Sequence, residues 1–269
     1  NYAVVRGAGG YGKTTLAIEL VRWLVRSQRY KRVVFVSVEP HRVLNIQGIL
    51  DSIGKQLLPQ YIVNLYGDDI DKALQPIIRE LLDFPTLILF DNMESILPDL
   101  SGNQPEGVAD PDKLFNVCQK LLAGAKTSRI IFTSRENLPK PFAHKKNTLE
   151  LGRLSTTEAI ELVADVMGRN GWEPPISDDA RTPQEVIDLV EAVQCHPRAL
   201  VQMAPYVAEG VKPTTDEMAR IYAELERKNP GDRENSLYAS VELSLRHLPQ
   251  HLRNKVYCLA LLHGGAHRY

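Results

Sequence analysis

The sequence predicts an α/β protein of the phosphate-binding-loop (P-loop) kind: a parallel sheet with helices on both faces, followed by an all-helical region. Three observations carry that expectation. Short, continuously apolar segments recur between helical patterns, and strands without polar alternation are those buried on both faces of a parallel sheet. A glycine-rich loop closes the first strand and opens the first helix. After Gly152 the strand signals stop, and helices with marked N-termini follow one another. The first region is taken as residues 1–152 and the helical one as residues 153–230.

The elements follow in order. Ala3-Val4-Val5 reads as a short buried strand, and Thr15 to Val21 as the helix after the loop. Arg32 to Val38 is a β-branched strand. Ile46 to Leu58 has helical spacing, with Ile46, Ile49, Leu50, Ile53 and Leu57 on one face. Ile70 to Leu82 is a further amphipathic helix, expected to kink or restart at Pro76. Thr86 to Phe90 is a wholly apolar strand, Pro98 to Pro111 an exposed loop, Leu114 to Ala123 a helix, Arg129 to Thr133 a strand and Thr148 to Leu151 a last short one. In the helical region, Ser155-Thr156-Thr157-Glu158 is a capping box ahead of a buried stripe from Ala159 to Met167. Thr182-Pro183-Gln184-Glu185 reads as a second, with proline at the first helical position, and Thr214-Thr215-Asp216-Glu217 as a third. Asn229 to Asp232 marks a break, followed by helices from Ser236 to Leu248 and from Gln250 to Leu262.

Composition bounds the function classes. The chain has 269 residues, with Lys+Arg 32 against Asp+Glu 33 and a net charge of −1, so it carries no footprint for nucleic acid or an anionic membrane. Cys118, Cys195 and Cys258 lie far apart and form no ligand pair or disulfide framework, which fits a reducing, cytoplasmic location and buried structural roles. No apolar run reaches the ~20 residues that a membrane span needs. The chain starts without methionine and is expected to be a piece of a longer protein.

The chemistry centres on Gly7-Ala8-Gly9-Gly10-Tyr11-Gly12-Lys13-Thr14, which matches G-x-x-x-x-G-K-[ST] at every specified position between a strand and a helix. Glycines let the backbone curl around a phosphate, and the loop N–H groups and helix N-terminus face the anion. Lys13 can reach the β- and γ-phosphates, the Thr14 hydroxyl can ligate Mg²⁺, and Thr15 completes the binding segment. The strand from Thr86 closes in Asp91-Asn92-Met93-Glu94. Asp91 can hold the Mg²⁺ shell, and Glu94 can position or deprotonate a water. The competing readings are a turn aspartate and a solvated glutamate. The next strand ends in Thr133-Ser134-Arg135, where Arg135 can read a γ-phosphate or stand as a surface arginine. Pro197, in Cys195-His196-Pro197-Arg198-Ala199-Leu200, accounts for itself as a helix start, and His196 reads as a half-buried loop histidine.

Taken in order, Gly7 to Thr14, Leu87 to Glu94, Ile130 to Arg135 and His196 to Leu200 resemble the motifs of STAND NTPases, the NB-ARC (AP-ATPase) type in particular. The resemblance implies a signal-transduction switch that holds ADP when closed and oligomerises with ATP, with Mg²⁺ as cofactor. It implies Lys13 and Thr14 on phosphates and metal, Asp91 on the metal, Glu94 on the water, Arg135 on the γ-phosphate and Pro197 against the adenine or ribose. It also implies a truncated winged-helix start over residues 231–269, and effector and sensor regions beyond this chain as partners. The histidine that the family often places on the β-phosphate is not identifiable, because His263 and His267 lie too early.

The expected function is therefore a slow ATPase that changes conformation and oligomeric state with ATP or ADP. One rival is a mechanical ATPase of the AAA+ type, which shares the sheet, the phosphate loop and the acidic end of the third strand, but would usually carry an arginine finger and turn over continuously. The other is a scaffold or transcriptional regulator that retains nucleotide without hydrolysis; the near-neutral charge argues against nucleic acid as a partner.

Overall fold

The computed structural model describes residues 1–38, 45–98, 109–169, 171 and 182–208, with isolated positions between 220 and 252. The chain forms two compact units. The first comprises Asn1–Gly7 and Lys13–Glu150, the second Ala8–Gly12 and Leu151–Tyr269.

The first unit is built on β1 (Tyr2–Arg6), α1 (Lys13–Arg26), β2 (Arg32–Ser37), α2 (Ile46–Leu57), α3 (Ile70–Asp83), β3 (Thr86–Asp91), α4 (Pro111–Gly124), β4 (Arg129–Ser134) and β5 (Thr148–Glu150). The strands form one sheet in the order β2-β3-β4-β1-β5, and every pair is parallel. The apolar runs of β3 and β4 match burial on both faces, whereas the edge strands β2 and β5 leave Val33, Phe35 and Leu149 exposed. Val34, Phe90, Ile130 and Phe132 join the core shared with α2, α3 and α4, whereas α1 buries Ala17 and Val21 and packs on β1 to β4. This is a P-loop NTPase core, with helices on both faces of a parallel sheet.

Register sets what stands at the carboxyl edge, where parallel sheets place their ligand sites. Ser37 pairs with Asp91, Phe90 with Phe132, and Arg6 with Ser134. The ends of β3, β4 and β1 therefore sit level, and the residues just beyond them meet.

Three local expectations are corrected. α3 continues through Pro76 and does not restart there. Its ring costs about 3 kcal/mol in a helix interior. Ala73, Leu74, Ile77 and Leu81 are all buried on one stripe, and large apolar side chains return about 1.5–3 kcal/mol each, so the stripe wins. α4 starts at Pro111 rather than Leu114, because Asp110 caps it by accepting from the N–H groups of Asp112 and Lys113. In the second unit, α6 (Gln184–Ala192) begins after Pro183, which stands outside the helix with ψ 140 and makes no side-chain cap bond. The Pro183 carbonyl, not a Thr182 hydroxyl, takes the first turn, from Val186 and Ile187.

The second unit packs α5 (Thr156–Arg169), α6 and α7 (Pro197–Ala208) around Val163, Met167, Leu189, Leu200 and Met203. The Ser155 capping box closes reciprocally. Ser155 N donates to Glu158 Oε2 at 2.8 Å, and Glu158 N donates to Ser155 Oγ at 3.3 Å. The expected box at Thr214–Glu217, the break at Asn229, most of the two last helices and of the winged-helix start, most of the 98–111 loop and Cys258 lie outside the described residues. No helix among the described residues is long and apolar enough to cross a membrane.

Candidate functional site

Two side-chain clusters gather the residues that the sequence singles out. The first lies at the carboxyl edge of the sheet, inside the first unit. Gly7 N donates to the Ser134 carbonyl at 3.2 Å, which ties the exit of β1 to the end of β4. α1 then opens with Lys13, which is buried, and Thr14. The Thr14 hydroxyl donates to Asp91 Oδ1 at 2.7 Å, and the Thr133 hydroxyl donates to the same oxygen at 2.6 Å. Asn92 N donates to Thr133 Oγ1 at 3.0 Å, so the hydroxyl between β3 and β4 is anchored from both sides. Two O–H donors on one oxygen hold the Asp91 carboxylate in a single orientation. Thr15 is exposed.

Asn92 takes a left-handed conformation, φ 70, which turns the chain sharply after β3 into a short 3-10 turn from Met93 to Ile96. That turn brings Glu94 to Arg135. Arg135 N donates to Glu94 Oε2 at 3.1 Å, and Arg135 Nε lies 3.1 Å from Glu94 Oε1. Glu94 and Arg135 are thus partners of one another, whereas Asp91 is engaged with hydroxyls.

The second cluster lies inside the second unit and includes the loop tip. Gly10 (φ 74) and Gly12 (φ 86) adopt conformations that side chains disfavour, which curls the loop. A Cβ on Gly10 would meet His196 Cε1 at 2.7 Å and Arg198 Cβ at 2.9 Å. The space beside Gly12 is open. His196 Nε2 lies 3.2 Å from the Gly9 carbonyl oxygen, and the Tyr11 ring meets the His196 ring edge-on at 5.2 Å. Pro197 is the first residue of α7. His196 is a correction to the sequence reading: it is wholly buried, not half-buried. Arg198 is a residue that the sequence reading passed over. Its aliphatic stem lies on Gly10, and the only hint available was a cation beside a helix-starting proline.

The donor set fits a nucleotide with a hard cation. A threonine hydroxyl and a carboxylate already meet at 2.7 Å at the start of α1, both oxygen donors of the kind Mg²⁺ takes.

No family model matches the chain, and no curated protein matches it. Solved structures do. The ADP form of the Aeropyrum pernix ORC2 protein is similar at 16% identity, with TM-score 0.52 over 93% of this chain and 65% of that one. The ADPNP-ADP complexes of the same protein give 15% identity and TM-score 0.51, covering 94% of this chain and 64% of that one. Cdc6p from Pyrobaculum aerophilum gives 16% identity and TM-score 0.51, covering 97% of this chain and 66% of that one. The chain therefore spans a little under two thirds of the structures it is similar to. At this identity the likeness establishes the fold: a P-loop NTPase core with a helical part.

Proposed function

We propose that the chain is the ATP-binding and ATP-hydrolysing module of an AAA+-type ATPase. The observation that carries this reading is the meeting of Thr14 and Asp91 at 2.7 Å at the foot of the glycine loop. The likeness to ORC2 and Cdc6p folds supports the AAA+ alternative better than the STAND switch. In this reading the loop N–H groups and Lys13 hold the phosphates, and Thr14 and Asp91 hold Mg²⁺. Mg²⁺ would supply charge neutralisation at the phosphates. Glu94 orients the attacking water as general base. Arg135 offers positive charge for the transferring phosphoryl group. A cation is worth most where charge develops, so Arg135 belongs to the hydrolysis step rather than to binding.

The ion pair between Glu94 and Arg135 favours a second reading, the ATP/ADP switch of NB-ARC type. Two groups needed for hydrolysis that neutralise each other make a slow enzyme, and slowness suits a switch that oligomerises with ATP and signals through effector and sensor regions. Steady-state turnover measured across a range of protein concentrations separates the two. A specific rate that rises with concentration supports the AAA+ reading. A slow rate independent of concentration, with ADP retained, supports the switch. Undetectable hydrolysis with tight nucleotide retention points instead to the scaffold.

A further inference from the structure

His196 has no part in that scheme, yet its ring touches Gly9, Gly10 and Tyr11 within the second unit. Its protonation pattern follows from its partners. Nδ1 accepts the backbone N–H of Ala199 at 3.3 Å, at the first turn of α7. A ring nitrogen that accepts an N–H carries no proton, so the neutral ring keeps its proton on Nε2. Nε2 faces the Gly9 carbonyl oxygen at 3.2 Å and donates to it. The ring is 0% exposed, so no water competes for either nitrogen.

The turn that delivers the ring is itself unusual. Gln194 (φ 52) and Cys195 (φ 56) are consecutive non-glycine residues in the left-handed region. Such strain persists only where the surroundings impose it. Here Cys195 N is held by the Val190 carbonyl at 3.0 Å, and the Cys195 carbonyl accepts Leu154 N at 3.2 Å.

The peptide between Gly9 and Gly10 is planar and trans, so its C=O and N–H point in opposite directions. Fixing the Gly9 carbonyl on one side therefore fixes the Gly10 N–H on the other. We propose that His196 is a positioning residue for the phosphate loop: its Nε2–H holds the Gly9 carbonyl and so aims the Gly10 N–H at the bound phosphate. A carbonyl released from the ring can turn into the cradle and present negative charge to an anion. This inference rests on the nucleotide-site reading above and adds to it a residue that sets loop geometry without touching the ligand.

Two substitutions separate this role from simple capping of α7. His196→Gln places an N–H donor near Nε2 and removes the acceptor at Nδ1. His196→Asn keeps an acceptor near Nδ1 and removes the reach to Gly9. Calorimetry with Mg²⁺·ADP on the full chain should find His196→Gln within about threefold of wild type, and His196→Asn at least tenfold weaker. Thermal unfolding without nucleotide should rank them the other way, since only Asn retains the cap. If both variants bind like wild type, or if Asn binds and Gln does not, the positioning role is wrong. Ring-nitrogen NMR of the wild type tests the same idea without any variant. The proton must sit on Nε2, and its signal must shift on saturation with ADP; a proton on Nδ1, or an unmoved signal, overturns the proposal. Wild-type protein that binds no ADP would instead defeat the nucleotide-site reading, and this proposal with it.

Discussion

Arg135 meets Glu94 at two points: its backbone N–H donates to Oε2 at 3.1 Å, and its Nε stands 3.1 Å from Oε1 as an ion pair without hydrogen-bond geometry. The pair joins the turn after β3 to the end of β4. The Arg135 side chain is 47% exposed, so the contact contributes little to folding, about 0–1 kcal/mol for exposed pairs. In the ATPase proposed above its consequence is chemical: Glu94 and Arg135 would act on hydrolysis as a unit.

Glu94→Gln should therefore bind ATP like wild type and hydrolyse it about 10²–10⁴-fold more slowly, the range for a positioned acid–base group. Residues that act together are non-additive, so Glu94→Gln combined with Arg135→Ala should be little slower than Glu94→Gln alone. Single-turnover hydrolysis of wild type, Glu94→Gln, Arg135→Ala and the double variant measures this. Wild-type turnover by Glu94→Gln would move the water-positioning role elsewhere.

Gly54 gives a stability prediction that runs against helix propensity. It lies inside α2, where alanine is ordinarily better than glycine by about 0.5–1 kcal/mol. A Cβ there would stand 2.2 Å from Cδ1 of Tyr61, whose ring is buried and whose hydroxyl donates to the Ala73 carbonyl at 2.9 Å. Overpacking should win, and Gly54→Ala should lose about 1–3 kcal/mol in urea unfolding.

The same tyrosine predicts an alkaline transition. Burial first, then the nearby Tyr66 and Asp51, push the Tyr61 phenol from 10.0 up to about 12. The folded protein thus holds this proton more tightly than the unfolded chain. The associated stability is complete below pH 10 and is lost as pH rises through about 12. Denaturant midpoints taken across that window should fall for wild type, and should fall less for Tyr61→Phe.

At the start of α5 the sign is reversed. The Ser155 backbone N–H, then its hydroxyl, hold the Glu158 carboxyl below its usual value of 4.5. That stabilisation is present above 4.5 and is lost as pH falls through the lowered value. In Ser155→Ala the Glu158 titration, followed by NMR, should move back toward the ordinary carboxylate range, and the thermal midpoint should drop at neutral pH.

Much of this architecture is legible in the chain, and the exceptions have physical reasons. Strands such as Thr86–Asp91 announce themselves because burial on both faces demands unbroken apolar residues. The capping box at Ser155 is legible because its partners are three residues apart. The turn at Asn92, which brings Glu94 to Arg135, leaves no periodic trace. Pro76 misleads because a local rule meets a buried stripe that outweighs it. His196 is opaque for a different reason: its partner Gly9 is 187 positions away, and no spacing pattern links a lone histidine to a distant carbonyl.

Binding of Mg²⁺·ADP and a non-hydrolysable ATP analogue, measured by calorimetry on wild type and Lys13→Ala, tests the central claim most directly. Lys13 is buried at the start of α1 behind the loop, and a charge-assisted contact to phosphate is among the stronger hydrogen bonds. Wild type should bind both nucleotides, and Lys13→Ala should bind them at least ~1.5 kcal/mol more weakly, roughly tenfold. Equal affinity in the two proteins, or no binding by folded wild type, would contradict the assignment of the Gly7–Thr14 loop as a nucleotide site.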